Sequence, residues 1–129
     1  SGHPVACAVG LANIEVMERE NLVGKVGGEI GEYFQKQLAK LQDHPIVGET
    51  SGKGLLGAIE LVKNGETRER FADAGVICRD HCFCNGLIMR AIGSTMVLSP
   101  PLIITKSEID ELFSLARHCI DLTARDLGV

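Results

Sequence analysis

The feature that most constrains the fold is a helix-forming segment near the start of the chain that is apolar on every side. Pro4 suits the first turn of a helix, because the N–H that proline lacks would have no partner there. Residues 5–12 carry only apolar side chains or none, and charged residues begin at Glu15. A helix that is apolar all round must be buried all round, and a single small domain can hardly enclose one. We therefore expect this leading helix, from about residue 4 to 23, to pack against a further domain or another chain.

The composition is that of a globular protein and excludes several function classes. Hydrophobic residues make up 45% and charged residues 23% of the 129 residues, which argues against disorder. The net charge is -4 and the basic residues are dispersed, so we expect neither a nucleic-acid partner nor a membrane surface. No apolar run approaches the roughly 20 residues that span a bilayer. The opening residues show no signal-peptide pattern and read as part of a longer chain.

Hydrophobic periodicity predicts a small, mostly antiparallel sheet covered by helices, an α+β fold. The second helix has an apolar stripe at steps of three and four residues: Val26, Ile30, Phe34, Leu38 and Leu41. The predicted elements after it are strands at 46–51 and 55–63, helices at 66–74 and 76–85, a hairpin of strands 87–92 and 96–98, and a final helix. Thr105 and Glu108 have the spacing of a capping box at the start of this last helix.

Residues 52–57, GKGLLG, match the dinucleotide-binding fingerprint letter for letter. That fingerprint works because its glycines open a helix whose amino end holds a pyrophosphate. Here the segment after the glycines reads as a strand. We therefore interpret these glycines as a bend between two strands and reject a cofactor site at this motif.

The five cysteines and four histidines do not form an obvious metal or catalytic site. The cysteines are Cys7, Cys78, Cys82, Cys84 and Cys119, an odd set without the spacing of a disulfide framework, which is typical of a reducing cytoplasm. Cys78 and Cys82 share one helix face with His81 beside them, but no second ligand pair completes a tetrahedral set. We interpret the helical thiols as small core hydrophobes, and His3, His44 and His118 as cap or surface residues.

Arg90 is the one candidate site residue. Alternation along the strand places Arg90 on the same face as Ile88 and Ile92. An arginine between two isoleucines on one side of a strand either lies at an edge, where its side chain reaches water, or binds an anion. Both interpretations remain open from the residues alone.

Four separate motifs resemble the C-terminal region of class III aminotransferases, in the branch that uses ω-amino acids or amines with pyruvate. They are SGHP at 1–4 before a small-residue helix, GKGLLGAIEL at 52–61, CRD at 78–80 with NGLIMR at 85–90, and SPPL at 99–102. The likeness keeps the same order and runs to the last helix. It identifies residues 1–129, leading helix included, as the small domain of a fold-type-I pyridoxal-phosphate enzyme whose whole fold is α/β.

The resemblance also implies what the chain does and what it lacks. The parent would be a cytoplasmic, homodimeric transferase with an N-terminal large domain, and it would move an amino group from an amine to a keto acid. Pyridoxal phosphate would supply the electron sink. The family's cofactor-binding residues all precede this chain, so we expect the 129 residues alone to be inactive and to contribute neither catalytic, cofactor-binding nor metal-binding residues. Arg90 alone matches a functional position, the arginine that binds a substrate carboxylate and swings away for apolar amines.

Three alternatives to this function remain open from the residues alone. A non-catalytic α+β binding or regulatory module is the first, although such a module should not begin with a fully apolar helix. A metal-binding domain built on the cysteine cluster is the second. The third is a decarboxylase or racemase that uses the same cofactor, because the residues that distinguish these activities lie upstream.

Overall fold

The computed structural model describes residues 2–129 and confirms the α+β class. The helices are α1 (Pro4–Arg19), α2 (Leu22–Gly27), α3 (Glu29–Ala39), α4 (Ala74–Cys84) and α5 (Lys106–Asp126), with a 3₁₀ turn at Lys40–Asp43. The strands are β1 (Val47–Lys53), β2 (Leu56–Asn64), β3 (Glu69–Arg70), β4 (Arg90–Ile92) and β5 (Thr95–Leu98). Within the described residues, no helix has the length and apolar character needed to cross a membrane.

The strands form one antiparallel sheet in the order β1-β2-β5-β4, with the short β3 added to β2. Cross-strand partners point to the same side of a sheet, so the register divides the side chains into two faces. One face contains the row Ile59, Met96 and Ala91 and packs under the helices. The other face is open in this chain.

Helices α3 and α5 cover the closed face of the sheet and supply the aromatic part of the core. Phe34 of α3 and Phe113 of α5 meet edge to face, with ring centroids 5.0 Å apart. Gly57 lies directly beneath them, and a Cβ there would stand 3.1 Å from Phe34 Cε1 and from Leu38 Cδ2. Helix α3 therefore approaches β2 closely at this point, and a larger residue at position 57 would require Phe34 and Leu38 to shift by a few tenths of an ångström.

The final helix begins where the sequence predicts it. The Thr105 hydroxyl accepts a hydrogen bond from the Glu108 N–H, and the Glu108 carboxylate accepts one from the Thr105 N–H at 2.8 Å, which is a complete capping box. Ile109, Phe113, Ala116 and Ile120 are buried along one face. Two of the four orphan donors of the helix are thereby satisfied before its apolar face enters the core.

Helix α1 is exposed along its whole length. None of its 16 residues is buried, and Val5, Val9 and Leu11 each expose more than 60% of their surface. It ends at Arg19, short of the predicted residue 23, because Asn21 adopts a left-handed backbone conformation with φ 49° before α2 begins. That a further domain or another chain covers α1 remains a prediction.

Three predicted elements differ from the structure: one helix is absent, one helix is interrupted and one strand is shorter. The predicted helix at 66–74 is a turn followed by β3, because the Asn64 side-chain oxygen accepts the Glu66 N–H at 2.7 Å and Arg68 has a left-handed φ of 51°. The second helix is interrupted at Gly28, whose backbone leaves the helical region. The predicted strand at 87–92 shortens to β4.

Candidate functional site

The open face of the sheet carries the one site residue that the sequence predicted. Arg90 pairs with Val97 across β4 and β5, and Val97 pairs in turn with Ala58 on β2. The next row contains Ile92, Thr95 and Glu60. Large apolar side chains on this face are unusually exposed: Ile88 by 77%, Leu56 by 56% and Ile92 by 55%.

Arg90 is exposed at the edge of this face, next to Ile88 and Ile92 as alternation along the strand predicts. Among residues 2–129, its guanidinium makes neither a hydrogen bond nor an ion pair within the chain. A planar guanidinium offers two parallel N–H donors that match a carboxylate. The side chain is therefore available to bind an anion that approaches the open face.

The backbone of the hairpin that carries Arg90 is held firmly against α4. Gly93, at the hairpin turn, has a left-handed φ of 60° that favours glycine. Gly75, in the first turn of α4, lies so close that a Cβ there would stand 2.0 Å from the Gly93 carbonyl oxygen. The strand under Arg90 is thus fixed by packing and by sheet pairing, while the long side chain remains free to move.

The glycine-rich segment 52–57 connects two antiparallel strands, as interpreted from the sequence. Gly54 forms the turn with φ 58°, and β2 starts at Leu56. The Gln35 side-chain amide donates hydrogen bonds to the carbonyls of Gly54 and Leu56, at 2.9 and 3.1 Å. A strand follows the glycines instead of a helix, so the motif lacks the helix amino end that binds a pyrophosphate.

The cysteine-rich segment also matches its structural interpretation. Cys78 and Cys82 on α4 and Cys119 on α5 are completely buried in the helical core, whereas Cys84 is exposed. Contact with the Cys78 thiol, together with burial, raises the pKa of Cys82, and burial raises the pKa of Cys119. Across residues 2–129, no group of three or more His, Cys, Asp or Glu side chains has the arrangement of a metal site.

His44 was expected to be a cap or surface residue; it is the C-cap of the 3₁₀ turn, but it is buried and does not lie on the surface. It is 6% exposed, and its Nε2 lies 3.0 Å from an Asp121 carboxylate oxygen on α5. Its Nδ1 accepts the Ile46 N–H at 3.3 Å. Nε2 therefore ties the segment before β1 to α5, and spacing along the sequence does not reveal this pair because Asp121 is 77 residues away.

Comparison with known proteins places this geometry in a family. The model of the aminotransferase class-III family matches residues 1–120. The chain belongs to the class-III aminotransferases. Aminotransferases of this class use pyridoxal phosphate, and one of the solved structures similar to this chain is a complex with PMP.

Two relatives and one solved structure define the position of this chain in the family. It is 58% identical to the putrescine–pyruvate aminotransferase of Pseudomonas aeruginosa over 96% of this chain and 28% of that protein. It is 38% identical to gamma aminobutyrate transaminase 1 of Solanum lycopersicum, over 89% of this chain and 23% of that protein. The omega transaminase of Pseudomonas jessenii in complex with PMP superposes with a TM-score of 0.91 at 32% identity, over 98% of this chain and 28% of that one.

The aminotransferase chain thus spans about 28% of the length of its relative in Pseudomonas aeruginosa. The non-catalytic binding module is not favoured, because these relatives are aminotransferases.

The lysines of this chain lie on its surface. All six lysines are exposed: Lys25, Lys36, Lys40, Lys53, Lys63 and Lys106. Lys63 and Lys106 are already paired, with Glu69 and Glu29. A lysine that binds the cofactor in this enzyme class needs a partly desolvated pocket that also holds the phosphate and the ring.

Proposed function

We propose that residues 1–129 are the C-terminal small domain, with its leading helix, of a pyridoxal-phosphate-dependent aminotransferase. The parent enzyme would transfer an amino group from an ω-amino acid or amine to a keto acid such as pyruvate. The names of the two relatives support a diamine or ω-amino acid as donor, and the first also supports pyruvate as acceptor. The 129 residues alone should be inactive, since they lack a cofactor site.

Within that enzyme, Arg90 is the proposed ligand of the substrate carboxylate. The single observation that carries this assignment is an unpaired guanidinium on the open face of the sheet, surrounded by exposed apolar side chains. If the rest of the enzyme covers this face, an isolated guanidinium there needs a counter-charge. The carboxylate of a keto acid supplies one, with the bidentate geometry that arginine favours.

The remaining N-terminal large domain and a second subunit are the proposed partners. Helix α1 exposes apolar residues along its length, and a monomer rarely leaves a contiguous apolar patch of more than a few hundred Å² open to water. We propose that the large domain or the partner subunit of a homodimer covers it. All five cysteines are free, which supports a cytoplasmic enzyme.

Replacing Arg90 in the full-length enzyme tests the assignment. Arg90→Ala should remove roughly 2 to 4 kcal/mol of transition-state binding for pyruvate, the scale of a charge-assisted contact left unmade. Arg90→Lys should recover only part of it, because an ammonium cannot form two parallel hydrogen bonds. An amine without a carboxylate should be affected much less. Single-turnover rates for the amine and keto-acid half-reactions, measured separately, give both numbers.

Arg125→Ala provides a matched control. This arginine is also exposed, and it lies in the last turn of α5, away from the open face. Its replacement should leave both half-reactions unchanged. Equal losses for pyruvate and for the simple amine in Arg90→Ala would mean that Arg90 stabilises the fold and does not bind substrate.

A further inference from the structure

The free edge of β1 is the long edge of the sheet that no other strand covers within residues 2–129. β1 has seven residues and lies at one end of the order β1-β2-β5-β4, whereas β4 at the opposite end has only three. An uncovered edge presents unpaired backbone N–H and C=O groups, and such an edge can accept a strand from another chain. The edge of β1 must therefore be covered by a partner or closed against one.

Gln42 places its side-chain amide on this edge. Its Nε2 donates a hydrogen bond to the Gly48 carbonyl at 3.1 Å, and its Oε1 accepts one from the Thr50 N–H at 2.8 Å. In a parallel pair of strands, one residue bonds the C=O and the N–H that flank a single residue of the neighbouring strand. The Gln42 amide makes the same two bonds around Glu49, so it occupies the position of a residue in an added parallel strand.

The backbone that carries Gln42 is anchored on both sides. Gln42 lies in the 3₁₀ turn Lys40–Asp43, where the preceding Leu41 is 2% exposed. The Asp43 carboxylate that follows accepts a hydrogen bond from the Arg117 guanidinium on α5 at 2.8 Å. A fixed backbone thus holds the amide next to β1, which reduces the conformational entropy that is lost when its two hydrogen bonds form.

The sequence of β1 also discourages strand addition at the same place. The register between β1 and β2 is irregular between Val47 and Glu49, and a Cβ at Gly48 would stand 2.7 Å from Val62 Cγ1. Charged, exposed side chains follow at Glu49 and Lys53. Bulges and charged residues, lysine above all, are devices by which natural sheets protect their edges. A strand that receives a partner would not be expected to combine these features.

We infer that Gln42 closes the edge of β1 against strand addition, and that β1 is the outer strand of this sheet in the parent enzyme. Without the amide, the Gly48 C=O and the Thr50 N–H would both be unpaired. The edge of a second copy of the chain carries the same unpaired groups, so edge-to-edge pairing of two copies is the contact that Gln42 prevents.

The test is Gln42→Ala in the full-length enzyme, followed by hydrogen–deuterium exchange at the Thr50 amide and by light scattering. Exchange at Thr50 should become roughly fivefold faster, the scale of one net hydrogen bond. The mass from light scattering should rise with protein concentration above that of the unchanged enzyme. Gln42→Glu keeps an acceptor for the Thr50 N–H and adds a charge at the edge, so exchange and mass should both stay near those of the unchanged enzyme.

Gln37→Ala is the matched control. The Gln37 amide donates to the Asp110 carboxylate at 2.8 Å, on the helical side of the fold, and does not bond a strand. Its loss should change neither exchange at Thr50 nor assembly. Association of Gln37→Ala to the same extent as Gln42→Ala would attribute the effect to lost stability and overturn the inference.

A second variant tests the edge itself. Thr50→Pro, added to Gln42→Ala, removes the freed N–H, and proline is tolerated on an edge strand where that N–H points away from the sheet. Association should then disappear. Faster exchange in Gln42→Ala, with association that Thr50→Pro abolishes, supports the inference.

Two results would overturn the inference. Unchanged exchange at Thr50 in Gln42→Ala would mean that another segment of the enzyme bonds the edge of β1. Faster exchange without association would mean that the amide satisfies two backbone groups but excludes no strand.

Discussion

The two faces of the same sheet differ sharply. On the closed face, Ile59 is completely buried beneath helices whose aromatic residues are in contact. On the open face, Ile92 of the neighbouring hairpin exposes 55% of its surface, and Ile88 exposes 77%. An antiparallel sheet can leave one face to water, but that face then normally carries polar side chains. The open face is mixed, because its cross-strand rows carry Glu49, Thr95 and Arg90 beside the exposed Ile92.

The difference shows which parts of the chain bury their apolar surface without a partner. The apolar side chains of the closed face are buried against α3, α4 and α5 within the 129 residues. The open face and α1 leave apolar surface exposed. Both carry residues that we assign to contacts with the rest of the enzyme, and Arg90 lies on the open face.

The largest expected effect contrasts one isoleucine on each face. In the 129-residue chain, Ile59→Ala should lower the free energy of unfolding by about 2 to 5 kcal/mol, because it leaves a cavity in a packed core. Ile92→Ala, the same chemical change on the open face, should cost less than about 0.5 kcal/mol. Urea denaturation of both variants measures the two values.

The same pair of variants in the full-length enzyme sharpens the comparison. There Ile92→Ala should become clearly destabilising if the open face is covered. An Ile92→Ala variant that is as stable as the parent in both contexts would show that the open face is simply exposed to water.

Helix α1 gives the second test. Replacing Val5 and Val9 with Gln in the 129-residue chain should reduce self-association and the binding of a hydrophobic dye, because the two residues belong to a continuous exposed apolar surface. Phe83→Gln on α4 removes an equally exposed apolar residue, 60% exposed, from a different helix and is the matched control. Light scattering measures the association. A parent chain that is already a monodisperse monomer would contradict the prediction.

Local signals predicted the parts of the fold that local contacts decide. The capping box at Thr105 and Glu108, the hairpin turn at Gly93 and the strand–turn–strand at residues 52–57 follow from side chains within a few positions of each other. The expected helix at 66–74 was wrong because the hydrogen bonds of Asn64 stabilise a turn there, and a strand then pairs with β2. Periodicity alone does not detect either contact.

The candidate site also combines features that local sequence predicts with contacts that only the fold reveals. Alternation in β4 was enough to place Arg90 on a face with Ile88 and Ile92. Its position in a row with Val97 and Ala58 depends on β5 lying between β4 and β2, a pairing that joins distant parts of the chain. The His44–Asp121 pair is also long-range, since it joins segments 77 residues apart. Such contacts are fixed by topology, which a single sequence does not reveal.

The smallest expected effect concerns the helix cap that supports the closed face. Hydrogen bonds from the Thr105 backbone N–H and hydroxyl keep the pKa of the Glu108 carboxyl below its ordinary value of 4.5. A group whose pKa is lowered by folding stabilises the fold above its unfolded pKa, and that contribution disappears as the pH falls through the folded pKa. Glu108→Gln should therefore destabilise the chain slightly at pH 7, and the two unfolding curves should converge as the pH is lowered below about 4.5.

Thermal unfolding between pH 7 and pH 3 measures this convergence, and Glu111→Gln controls for the loss of one charge on the same helix. Glu111 is exposed, and within residues 2–129 its side chain makes neither a hydrogen bond nor an ion pair. Its replacement should leave the pH dependence unchanged. If Glu108→Gln and Glu111→Gln behaved alike, the cap would contribute nothing specific to the closed face. A difference confined to Glu108 would mean that the start of α5 depends on its own capping box.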